Sequence, residues 1–126
     1  MTWVLDSSAI LVDFLKEAGS DIVHASQGSH IVSAVNFAEV YAKLIERGLT
    51  VEKIGKLRAI EPFDVVEFDR PQAILTAQLR PMTRHLGLSL GDRACLALAI
   101  REKAAVITAD RSWAGLDLGI EIKVIR

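Results

Sequence analysis

Short apolar runs alternate with longer segments of helical periodicity along the whole chain, and this alternation constrains the fold more than any other feature. The first run, residues 2–5, has no polar alternation, which predicts a central strand buried on both faces. Further strands are predicted at residues 30–32, 64–68, 104–108 and 120–125. Because helical segments connect the strands, most strands must run parallel. The sequence therefore predicts an α/β fold, a three-layer α/β/α sandwich with a mostly parallel five-stranded sheet.

Capping residues, glycines and prolines divide the connecting segments into about six helices. Ser7 or Ser8 is predicted to cap the first helix, and Ser33 and Thr50 to cap two later ones. Pro81 falls inside the fifth helical segment, where it should kink or divide the helix. The predicted helices cover about residues 7–19, 20–27, 34–47, 50–60, 71–87 and 93–101.

Length and composition limit the class of protein. The chain has 126 residues, so residues 1–126 are predicted to form a single domain. The longest apolar run, Ala94 to Ile100, is far shorter than the roughly 18 residues of a membrane span. Asp6 places a charge near the N-terminus, so no signal peptide is expected, and we predict a soluble, cytoplasmic protein. Cys95 is the single cysteine, which excludes an internal disulfide, and the net charge of −1 argues against nucleic-acid binding by the whole surface.

Four acidic residues, spread across most of the chain, are candidates for a metal site. Asp6 and Asp110 follow predicted strands, at the edge where open α/β sheets place their ligands, and Glu39 and Asp92 lie on predicted helices. Carboxylates gathered without a counterion repel one another, and the pKa of at least one of them rises. A hard divalent cation with oxygen ligands, Mg²⁺ or Mn²⁺, would remove this conflict.

Each carboxylate also has a plain structural explanation. These explanations are a helix N-cap for Asp6, an ion pair with Lys43 for Glu39, a capping box with Ser89 for Asp92, and a turn for Asp110. The metal hypothesis is favoured because an α/β topology can gather all four at one edge.

Other polar residues near the acids are candidates for accessory roles. The hydroxyls of Ser7, Ser8 and Thr108 could orient a carboxylate or a water, or could act only as caps. Contact with a substrate phosphate is considered for Arg93, Arg111 and Ser112, although such arginines are more often solvated. No Gly-x-Ser-x-Gly elbow and no phosphate loop is present, which disfavours esterase and nucleotide-hydrolase chemistry.

Four motifs carry a resemblance to a known family. They are the opening strand with residues 4–9, Glu39 in a helix after Ser33, the segment 88–99, and the segment 107–113. Their order and spacing resemble the PIN-domain ribonucleases, specifically the VapC-like toxins of type II toxin–antitoxin pairs. The resemblance places the family's acidic quartet on Asp6, Glu39, Asp92 and Asp110, with Thr108 as the associated hydroxyl. It also implies a PIN-like parallel sheet flanked by helices, a homodimer, and an antitoxin whose C-terminal segment covers the groove.

The sequence therefore favours a metal-dependent endoribonuclease, the toxin of such a pair, that hydrolyses RNA phosphodiester bonds by a metal-activated water. The expected cofactor is one or two Mg²⁺ ions, or Mn²⁺. The resemblance implies products with a 5′-phosphate and a 3′-hydroxyl. Three alternatives remain open: a receiver-type domain, a phosphatase with a strand-end Asp nucleophile, and a non-catalytic PIN-like module that binds or regulates with an antitoxin. The first two are disfavoured because Ser7 and Ser8 stand where they would need a second acid.

Overall fold

The computed structural model describes all residues, 1–126. Five strands and six α-helices alternate as predicted. In chain order they are β1 (Thr2–Leu5), α1 (Ser7–Phe14), α2 (Ser20–Ala25), β2 (Ser29–Ser33), α3 (Ala34–Glu46), α4 (Val51–Arg58), β3 (Asp64–Val66), α5 (Arg70–Thr83), α6 (Leu90–Glu102), β4 (Ala105–Thr108) and β5 (Ile122–Val124). Short 3₁₀ turns follow α5 and β4, at Arg84–Leu86 and Arg111–Gly115.

The strands form one sheet in the order β3-β2-β1-β4-β5. Every neighbouring pair is parallel, and Val4 of β1 lies opposite Ile31 of β2 and Val106 of β4. The predicted α/β fold is therefore confirmed, with a sheet that is parallel throughout. The chain moves outward from β1 to β3 and then returns to the other side of β1, so the strand order reverses between β1 and β4. Such a reversal leaves a crevice beyond the carboxyl ends of the two strands.

Alternate residues of β1 face two separate hydrophobic cores. Trp3 and Leu5 pack with side chains from α1, α2 and α3, whereas Val4 packs with α5, α6 and Trp113. The apolar run in α6 is explained by this arrangement, because all six residues from Ala94 to Ala99 are buried. No helix has the length and apolar character needed to cross a membrane.

Several predicted helix ends differ from the observed ones. The N-cap of α1 is Asp6, whose side chain makes no capping bond, so the prediction of a Ser7 or Ser8 cap is wrong. The helix ends at Phe14, well before Gly19, which instead allows a close approach: a Cβ there would lie 2.6 Å from the Ile125 carbonyl oxygen.

Two further features of the helices follow or depart from the prediction. Ser33 and Thr50 cap α3 and α4 as predicted. Pro81 does not divide α5, since it lies inside the helix only two residues before the helix ends.

Candidate functional site

The four predicted carboxylates line one open cleft with a cavity volume of about 330 Å³. Asp6 and Asp110 follow β1 and β4, Glu39 lies in α3, and Asp92 lies in the first turn of α6. The cleft thus lies at the crevice where the strand order reverses. Other side chains along its walls include Ser7, Ser8, Leu11, Leu15, Glu17, Lys43, Arg47, Ser89 and Arg126.

Asp6 is the most buried of the four, with only 3% of its surface exposed. The Ser8 and Thr108 hydroxyls both donate to its Oδ2, at 2.6 and 2.9 Å. Burial raises the pKa of Asp6 to about 6, the negative charge of Asp92 adds to this rise, and the two hydroxyl bonds oppose it. A nearby cation would stabilise the charged form of such a buried carboxylate.

Asp110 is connected to Asp6 through a short hydroxyl network. The backbone N–H of Asp110 donates to Thr108 Oγ1 at 3.0 Å, and Thr108 in turn donates to Asp6. Asp110 Oδ1 accepts from both the N–H and the hydroxyl of Ser112, at 2.9 and 2.7 Å. The predicted turn role of Asp110 is therefore present, and it uses one carboxylate oxygen.

Glu39 is held by contacts from three helices. Its Oε1 accepts from the Ser7 hydroxyl at 2.8 Å and from the Asn36 amide at 3.3 Å. Asn36 is fully buried, and its amide also donates to the Gly91 carbonyl at 3.0 Å, which ties α3 to α6. Gly91 itself lies against the carboxylate, because a Cβ at this position would fall 2.1 Å from Glu39 Oε1. The helical ion pair predicted between Glu39 and Lys43 does not form.

Asp92 forms the predicted capping box at the start of α6. The Ser89 hydroxyl accepts from the Asp92 N–H at 3.2 Å, and Asp92 Oδ2 accepts from the Ser89 N–H at 3.0 Å. One turn further along α6, the Cys95 thiol is fully buried; its pKa is raised by burial and also by the charges of Asp6, Asp92 and Glu39. Three of the four acids therefore lie near enough to raise the pKa of the same buried thiol.

The four carboxylates share a pattern that suits a hard cation. In Glu39, Asp92 and Asp110 the side-chain hydrogen bonds fall on one oxygen, both hydroxyl bonds to Asp6 also share one oxygen, and none of the four acids has an ion-pair partner within 4 Å. Their second oxygens are thus available to another ligand, and oxygen donors are those that Mg²⁺ and Mn²⁺ prefer. No three acidic, histidine or cysteine side chains are already gathered closely enough to hold a metal ion. The chemistry of the donor set fits a divalent cation, although the donors are not preassembled around one point.

The residues considered for phosphate contact lie in different places. Arg93 is buried and donates to the Thr76 carbonyl at 3.0 Å, on the side of α6 that packs against α5, so its prediction as a phosphate contact is wrong. Arg111 is exposed and donates to the backbone carbonyl of Arg126, outside the cleft lining. Ser112 is occupied with Asp110.

Three residues of this region, Asn36, Gly91 and Arg47, were not singled out from the sequence, and Lys43 was considered only as an ion-pair partner of Glu39. Asn36 and Gly91 contact Glu39, and Lys43 and Arg47 line the cleft. The available signal was helical spacing, since Asn36 lies three residues before Glu39 and the two cations lie four and eight residues after it.

A second, smaller cavity of about 100 Å³ lies away from the carboxylates, between α1, α2 and the segment before β3. Its polar side chains are already paired: His24 contacts Asp13 at 2.6 Å, and His30 contacts the Ser26 hydroxyl at 2.8 Å. This cavity has mostly satisfied polar groups and apolar walls.

Comparison with known proteins gives a consistent result. The PIN domain family model matches residues 3–117. No curated protein sequence matches the chain. Solved structures with the same fold include a toxin–antitoxin complex from Klebsiella pneumoniae (TM-score 0.74, 18% identity, 93% of each chain), VapBC2 from Rickettsia felis bound to a DNA fragment from their promoter (TM-score 0.76, 15% identity, 98% of each chain), and the sarcin-ricin loop cleaving toxin VapC20 from Mycobacterium tuberculosis (TM-score 0.73, 12% identity, 94% of this chain and 98% of that one).

Proposed function

Since this chain belongs to the PIN-domain family, we propose that it is a metal-dependent endoribonuclease and the toxin of a type II toxin–antitoxin pair. One observation carries the nuclease proposal: four carboxylates from four elements line one open cleft, each with an oxygen left over and none with a cationic partner. Structural similarity to toxins of such pairs supports the rest. Family membership disfavours the receiver and phosphatase alternatives.

Asp6 and Asp110 are the proposed direct ligands of the cation. Hydroxyls fix one oxygen of each, so the position of the other oxygen is set before any ligand arrives. Glu39 and Asp92 would complete the site directly or through water, because each is also anchored through one oxygen. When bound, Mg²⁺ or Mn²⁺ would lower the pKa of its water and stabilise charge on the phosphate.

The reaction that this cleft would support is hydrolysis at phosphorus. The water oxygen bonds to phosphorus, the bond to the 3′-oxygen breaks, and that oxygen takes up a proton. The products would carry a 5′-phosphate and a 3′-hydroxyl. The raised pKa of Asp6 fits a group that stays partly protonated without a cation and ionises when one is near.

The nuclease proposal is tested with the purified chain, free of antitoxin, and end-labelled RNA. Cleavage is expected with Mg²⁺ or Mn²⁺, and it should stop on chelation. Asp6→Asn should lower the rate by roughly 100-fold or more, since even partners outside a metal's own ligands commonly contribute 10–100-fold. Asp117→Asn removes an exposed carboxylate outside the cleft and should retain the wild-type rate. Equal cleavage by wild type and Asp6→Asn would show that the site is wrongly assigned.

We also propose an antitoxin and a second copy of the chain as partners. The structures that resemble the chain include toxin–antitoxin complexes. Exposed apolar side chains on α5 and at the start of α6, namely Ile74, Met82 and Leu90, provide a candidate self-association surface.

If wild type produced no new RNA ends under any condition, the non-catalytic, antitoxin-binding module would become the better interpretation.

A further inference from the structure

The cleft is lined by a few basic side chains as well as by the acids. Lys43, Arg47 and Arg126 are its only cations, and Arg126 is already paired with Glu17 at 3.4 Å. Lys43 and Arg47 are exposed and have no carboxylate within 4 Å. Two uncommitted positive charges therefore face the same cleft as the four acids.

These two cations continue the line of Glu39 along α3. Residues four apart on a helix lie on one face, about 6 Å apart along the axis, so Glu39, Lys43 and Arg47 form a row that leads away from the acidic centre. Arg47 is the C-cap of α3, where the helix dipole also favours a cation. A regular row of single charges suits a polymer with one negative charge per unit.

The net negative charge of the cleft disfavours a polyanion, so basic side chains beside the acids would help RNA to bind. Five carboxylates and three cations line it, which gives a formal charge of −2. A bound divalent cation would offset this charge at the cleaved phosphate, and basic side chains beside the acidic centre would hold the adjoining phosphates. A single row of cations on one wall can follow the phosphates of one strand, which is how basic grooves contact single-stranded nucleic acid.

We propose that Lys43 and Arg47 bind successive phosphates of single-stranded RNA, so that the strand runs along α3 to one side of the phosphate that is cleaved. This inference rests on the proposed nuclease function and adds the path of the RNA strand along α3. An acidic segment of a protein partner is the competing occupant of the same row, and the experiment below distinguishes it from RNA.

The test measures the affinity of a fluorescently labelled single-stranded RNA pool across a salt series, with Asp6→Asn as the background to prevent cleavage. Each phosphate contact with a single strand contributes about 0.7 to the slope of log K against log salt. Lys43→Gln and Arg47→Gln should each reduce the slope by about 0.7 and weaken binding about fivefold at 0.1 M salt. The double variant should lose about 1.4 and about 25-fold.

Lys56→Gln is the matched control, because Lys56 is an exposed cation outside the cleft and its removal changes the net charge equally. Its salt slope should equal that of the background. Unchanged slopes for Lys43→Gln and Arg47→Gln would overturn the inference. Binding of a glutamate-rich peptide is measured with the same variants, and the inference would also fail if they lost peptide binding but kept RNA binding. Cleavage by wild type separates the two proposals: if wild type cuts RNA while the slopes stay unchanged, only this inference fails.

Discussion

Gly91 offers the sharpest separation between stability and metal binding. In Gly91→Ala, the new Cβ would lie 2.1 Å from Glu39 Oε1 and 2.5 Å from both Cδ and Oε2. Ordinary contacts are about 3.5 Å, so the Glu39 carboxylate must move by roughly 1 Å or more. Its 2.8 Å bond from the Ser7 hydroxyl cannot survive such a shift. Because the obstructed group is the end of a flexible side chain, the backbone of α6 need not move.

The expected effects on metal binding and on stability differ greatly in size. Displacing a candidate ligand should weaken Mn²⁺ binding by about 10–100-fold, the range found for groups that orient a metal site. Alanine in place of a helical glycine gains up to about 1 kcal/mol, and loss of the Ser7–Glu39 bond costs about the same, so the melting temperature should change by no more than a few degrees. Isothermal titration with Mn²⁺ measures the first effect, and thermal unfolding measures the second.

Gly55→Ala is the control for this substitution. Gly55 lies in α4 with no atom within 4 Å of an added Cβ, so alanine there should give a similar helical gain and leave Mn²⁺ affinity unchanged. If Gly91→Ala bound Mn²⁺ as tightly as wild type, the role assigned to Glu39 would be refuted. If wild type itself bound no Mn²⁺, the proposed metal site would fail first.

Three further predictions concern stability and burial. The pKa of Asp6 is raised from 3.8 to about 6, so its contribution to stability is full below pH 4 and is lost as pH rises through 6. In urea unfolding of the chelated protein, Asp6→Asn should therefore be more stable than wild type by up to about 3 kcal/mol at pH 7.5 and by much less at pH 4.5. Parallel pH profiles for the two proteins would contradict this. Trp113→Ala should cost about 3–5 kcal/mol in the same assay, because the side chain is fully buried between α6 and the sheet, and a loss below about 1 kcal/mol would mean that the core packing is misdescribed. Cys95 should stay inert to a thiol reagent in the folded protein and react after denaturation, since it is buried and its pKa is raised; rapid reaction of the native protein would contradict both.

Much of the fold could be predicted because the strands are short, fully apolar and separated by capped helices. The β1 run without polar alternation correctly identified the centre of the sheet, since both of its faces are covered. Details that depend on distant contacts were missed. The spacing predicts Gly19 as a helix end, whereas Gly19 precedes α2 and lies so close to the Ile125 carbonyl that a Cβ would not fit.

For the site, too, features set by strand ends could be predicted, and features that depend on distant contacts could not. Parallel topology alone brings Asp6 and Asp110 to one edge, so their proximity could be predicted from strand ends. Arg93 was misplaced because sequence adjacency to Asp92 says little about direction: successive residues on a helix point about 100° apart. The role of Gly91 was invisible, since it depends on how closely α3 and α6 approach, which no local pattern records.

The pairing of β1 with β4 has a consequence for the protein during its synthesis. The bond from Thr108 to Asp6 spans 102 residues, so the first carboxylate leaves the ribosome long before its neighbours in the cleft. At about 5–20 residues per second, translation leaves Asp6 without Thr108 and Asp110 for roughly 5–20 s. A nascent or truncated chain that ends before β4 has neither the second strand of the crevice nor its acid. Any activity that needs both Asp6 and Asp110 is therefore withheld until β4 and the residues directly after it have been synthesised.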